Sequence, residues 1–120
     1  MTADPFADRV AKVRQRFVST LPTKIDETGA ALRQCAGGDA AAVAAVAEAY
    51  RCMHGIVGIG RTVGFPVIGD AAREVEDILR PPYHAARTLT ADEISLLEKS
   101  LQALREIAAR ELQSVRGLSS

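Results

Sequence analysis

Apolar residues recur at steps of three and four along nearly the whole chain, which is the spacing of one helix face. Phe6, Val10, Val13 and Phe17 mark a first helix. Ile25, Thr28, Leu32 and Cys35 keep the same period beyond Leu21-Pro22, where proline predicts a bend or a new helix start. Aromatic residues make up 4% of the chain and Trp is absent. That is too little for a β-sandwich or barrel, whose strands favour aromatic and β-branched side chains.

Punctuation divides the rest. Gly37-Gly38 ends the second segment, because glycine readily leaves a helix in a left-handed conformation. Asp39 is a good cap for an Ala-rich helix running from Ala40 to about Val63. Gly64-Phe65-Pro66 breaks it, and Pro66 suits the first turn of the next helix, which carries Val67, Ala71, Val75 and Ile78. Pro81-Pro82 is expected to stop that helix, leaving Tyr83 to Leu89 as a loop. Thr90 and Glu93 form a capping box for a last helix bearing Ile94, Leu97, Leu101, Leu104 and Ala108. Long helices with short connections predict an all-α, antiparallel up-down helical bundle.

Composition narrows the function. A chain of 120 residues is expected to form one domain over 1–120. Fifteen basic and fifteen acidic residues cancel, which argues against nucleic-acid binding, as does the lack of an aromatic base-stacking platform. Cys35 and Cys52 form no CxxC, so neither a zinc site nor a redox motif is visible, and a reducing compartment is the simpler reading. The first residues do not read as a signal peptide. No uninterrupted apolar run approaches the ~20 residues of a membrane span. The expectation is a cytoplasmic protein with no membrane partner.

On the long Ala-rich helix, His54 falls at the edge of the apolar arc, with Ala47 and Gly58 beside it and Arg51 and Arg61 flanking the same open side. Neither small neighbour can cover the ring. Gly55, Gly58 and Gly60 in one helix fit two readings: close helix packing or fraying before Gly64, or an open, reactive histidine. Cys52 lies on the far side of the helix and reads as core. His84 reads as a solvated loop residue, and Asp70, Glu74 and Asp77 as a solvated acidic face or the lip of a docking surface. No Ser-His-Asp grouping, HExxH or P-loop occurs.

The run from His54 to Phe65 resembles the signature of histidine-containing phosphotransfer (HPt) domains: His54, Ile56, Gly58, then Gly64 followed by Phe65. Phe17, Leu21-Pro22, Ala30-Ala31-Leu32, Gly38-Asp39 and Ala71-Ala72 before Glu76 resemble the family's flanking helices, so the likeness spans roughly residues 10 to 112. The resemblance implies an all-α, antiparallel up-down four-helix bundle with an additional N-terminal helix, here the Phe6–Phe17 segment, and an exposed histidine, here His54, that carries a phosphoryl group between aspartates of receiver domains. It implies response-regulator receivers and a (hybrid) histidine kinase as partners, and a carrier rather than an enzyme. No cofactor or metal of its own is implied; Mg is expected on the receiver. A neutral imidazole, with an ordinary pKa of ~6.5, is a competent nucleophile near pH 7.

One departure stands out. Many members carry Lys three residues after the histidine, where this chain has Val57. Arg51 or Arg61 is the expected replacement for that charge, acting on the phosphoryl group or on the docking partner; the plain alternative is that both are solvated. Gly58, one turn beyond His54, is expected to face the partner. The competing functional class is a non-catalytic helical adaptor that binds a receiver or kinase without carrying phosphate.

Overall fold

Local chemistry sets most of the helix boundaries in the computed structural model, which describes residues 4–34 and 39–118. Among the described residues there are four helices: α1 (Pro5–Gln34), α2 (Ala40–Thr62), α3 (Pro66–Ala85) and α4 (Ala91–Leu118). The Asp39 side chain accepts a hydrogen bond from the Ala42 amide at 2.9 Å, capping α2. Pro66 occupies the first turn of α3. At the start of α4, the Glu93 amide donates to the Thr90 hydroxyl and the Thr90 amide donates to the Glu93 carboxylate, completing the capping box. Cys35 and Gly37-Gly38 lie outside the described residues.

The helices alternate in direction. The Cys52 thiol of α2 approaches the Lys24 carbonyl of α1 at 3.8 Å, and the Phe17 ring lies 5.7 Å from Phe65 just past the other end of α2. Gly29 of α1 faces Leu101 of α4, whereas Val18 and Pro22 share a groove with Val115. Each helix therefore packs against two neighbours around a core that includes Leu21, Ile25, Met53, Ile56, Ile68, Leu79, Leu97 and Leu104.

Three expectations need correction. The first concerns the additional N-terminal helix: Pro22 does not split the chain, and α1 runs unbroken for 30 residues. Pro22 is exposed, so the Val18 carbonyl that loses its partner faces the solvent side, while Leu21 and Ile25 hold the helix to the core across the proline. α1 also outlasts its 23-residue neighbour α2, so Phe6 and Val13 remain exposed and only Phe17 of the predicted face is buried. The second concerns Pro81-Pro82, which lie inside α3; the helix continues to Ala85 and takes in Tyr83 and His84. It ends at Ala86, whose φ of 51° and ψ of 47° are left-handed, with the Arg87 amide bonded to the Pro82 carbonyl. The third concerns membranes: α2 does reach the length and apolarity of a membrane-crossing helix by composition. In the bundle, Ala45, Val46, Ala49, Met53 and Ile56 of α2 belong to the common core.

Two predictions follow from the α3–α4 connection. Ala86 holds a conformation that costs a residue with a Cβ, so Ala86→Gly should raise unfolding stability by about 1 kcal/mol in urea titrations. In the same connection, the hydrogen bond from the Arg87 guanidinium, followed by the Thr90 amide and hydroxyl, pulls Glu93 down to about 2. Glu93 thus binds its proton more weakly folded than unfolded, and its contribution is present above the ordinary carboxylate range and lost as pH falls toward 2. Glu93→Gln should flatten that acid limb, read as midpoint against pH between 5 and 2.5.

Candidate functional site

His54 sits on the outer face of α2 with 71% of its side chain exposed. Its Nδ1 contacts Oε2 of Glu76, which reaches across from α3 and is itself only 3% exposed. An ionised carboxylate can only accept, so with Glu76 ionised Nδ1 is the donor, and in the neutral ring that leaves Nε2 without a proton. The ring is open to solvent and not covered by a neighbouring helix. The ring lies nearly parallel to Tyr50, one turn earlier, at 6.0 Å, and Tyr50 stacks on Tyr83 at 4.1 Å.

Glu76 also meets a cation. Arg80, one turn further along α3, places Nη2 3.3 Å from Glu76 Oε1 and Nη1 2.6 Å from Asp77 Oδ1. Hydrogen bonds to Tyr50 and then Asp77 hold the Arg80 guanidinium above its ordinary pKa. One buried carboxylate therefore carries the imidazole on one oxygen and a guanidinium on the other.

The approach to His54 is flat. A Cβ added at Gly55 or Gly58 would meet no heavy atom within 4 Å outside the helix's own backbone and chain neighbours. A shallow depression beside the ring is lined by Val13, Gly55, Gly58, Ile59 and Thr62. Among the described residues, no group of three His, Cys, Asp or Glu side chains offers a metal site.

The structure brings together some of the expected residues and not others. Gly58 does share the open face with His54. Arg51 is exposed and makes no ion pair among the described residues. Arg61 does not turn to His54: its guanidinium pairs with Asp70 of α3 at 2.7 Å, so this part of the acidic face is engaged. His84 is exposed but not in a loop; it stands edge-on to Tyr50 and Tyr83 at the end of α3. Glu76, Arg80 and Tyr50 were not singled out as site residues. Glu76 had a signal: it falls on the apolar stripe of Ala72, Val75 and Leu79, where an ionisable side chain needs a partner from another helix.

The bundle thus presents His54 on an open helix face beside a shallow depression. The chain belongs to the Hpt domain family, whose profile matches residues 12–107. Membership gives a phosphotransfer-related role in two-component signalling. No curated protein and no solved structure matches the chain.

The Glu76 contact makes a direct prediction. In imidazole nitrogen–proton NMR correlation spectra, neutral His54 should carry its proton on Nδ1, and Glu76→Ala should shift the population toward the Nε2-protonated form. An unchanged tautomer would show that Glu76 does not orient the ring.

Proposed function

We propose that this chain is a histidine phosphotransfer protein that carries a phosphoryl group on His54 between receiver-domain aspartates in a two-component phosphorelay. The observation that carries the reading is the exposed imidazole with Nδ1 tied to a buried carboxylate. In the step, the Nε2 lone pair attacks the phosphorus of an aspartyl phosphate on a receiver. The P–O bond to that aspartate breaks, and its electron pair stays on the carboxylate. The ring becomes an N-phosphoimidazolium whose Nδ1 proton remains in the hydrogen bond to Glu76, so the carboxylate offsets the new positive charge.

Reversal onto the next receiver's aspartate regenerates the free ring. The receiver brings Mg and the acceptor carboxylate; this chain brings the nucleophile, its orientation and an unobstructed approach. It is a carrier rather than an enzyme in its own right. Its partners are receivers and a histidine kinase, and the cytoplasm is where these partners place it.

Incubation with a receiver domain phosphorylated by acetyl phosphate tests the reading. The wild-type chain and His84→Ala should gain acid-labile, base-stable phosphate, and His54→Gln should gain none. Gly58→Glu projects a charge onto the open face and should slow uptake by about tenfold or more. Uptake by His54→Gln would overturn the assignment. Receiver binding by the wild-type chain without uptake would establish the adaptor class instead.

A further inference from the structure

We propose that Arg80 of α3, and neither Arg51 nor Arg61 of α2, is the cation that stabilises the phosphoryl group on His54; this rests on the carrier reading above. A phosphoryl group brings close to two negative charges, and here it would arrive on a ring already seated on a carboxylate. Val57 supplies no charge at the family's usual position. Arg61 is committed to Asp70. Arg51 shares no partner with His54, whereas Arg80 shares Glu76.

The Arg80 fork is set for this task. A guanidinium has five N–H donors. Asp77 and Glu76 account for two, and with 42% of its side chain exposed the group has donors left for phosphoryl oxygens. The Glu76 contact, at 3.3 Å, is the longer of the two carboxylate bonds and the easier to exchange. The Tyr50 ring lies along His54, and Tyr83 stacks on it. Asp77 draws on the same cation, so phosphorylation sets up a competition in which Arg80 turns from Glu76 toward the phosphoryl group while the Asp77 bond anchors it.

The test separates this role from docking and from folding. In a His84→Ala background, His54 is phosphorylated directly with phosphoramidate, without a receiver, and the decay of phosphohistidine is followed. Arg80→Ala and Arg80→Gln should shorten that lifetime by about three- to tenfold, Arg80→Lys should restore at least half of it, and Arg51→Ala and Arg61→Ala should leave it unchanged. Affinity of the unphosphorylated chain for a receiver should not move. Arg80→Gln keeps a donor for Glu76, so loss of fold in Arg80→Ala alone does not obscure the result. An unchanged lifetime in Arg80→Gln, or a shortened one in Arg51→Ala, would overturn the assignment to Arg80 while His54 still takes up phosphate. Failure of the wild-type chain to take up phosphate from either donor would overturn the carrier reading itself.

Discussion

A carboxylate buried to 3% exposure cannot stand without compensation, and Glu76 is the point from which the site is organised. An uncompensated charge in that position would cost several kcal/mol. Glu76 therefore draws an imidazole from α2 and a guanidinium from its own helix onto its two oxygens. What matters for chemistry follows from that satisfaction. The imidazole is tied through Nδ1, and a guanidinium sits on the same carboxylate.

That arrangement needs α2 and α3 close together along the stretch containing His54 and Glu76. The connection between them is short, and Gly64 turns it at φ 94°, a left-handed value that a side chain would strain. The Phe65 amide then bonds the Gly60 carbonyl at 2.7 Å, closing the end of α2. Beyond the turn the two helices meet at Gly69, where an added Cβ would come within 3.0 Å of the Arg61 Cγ and 3.4 Å of the Val57 carbonyl. Val57 itself is half-buried against the core. Position 57 thus belongs to the packed seam, and the guanidinium that meets Glu76 comes from α3.

The sequence pattern made the helical class, the α2 and α4 starts, the α2–α3 break and the open histidine readable, because each rests on chemistry within a few residues of itself. Asp39, Thr90 with Glu93, and Gly64 before Pro66 are signals of that kind. The prolines were harder to read. Pro22 and Pro81-Pro82 weaken a helix locally, but whether it breaks depends on what the residues around them bury, and Leu21, Ile25 and Pro82 are all held in the interior. The partners of His54 were harder still. Glu76 and Arg80 lie 22 and 26 positions away, and only the pairing of two antiparallel helices brings them alongside. Arg61 shows the same dependence on a facing helix: its guanidinium pairs with Asp70 of α3.

On the carrier reading, the division between rigid and open parts of the site has a functional logic. A carrier must accept from one receiver and donate to another through the same surface, so its own groups cannot enclose the phosphoryl group. Gly55 and Gly58 leave space above the helix, and Val13 and Ile59 beside them offer apolar contact that does not prescribe one partner geometry. Orientation must then come from beneath, through Glu76 and the stacked Tyr50 and Tyr83, where a docking protein cannot disturb it. A ring held from below and bare above loses little further freedom when a receiver arrives, and the transfer step starts from a nucleophile already aimed.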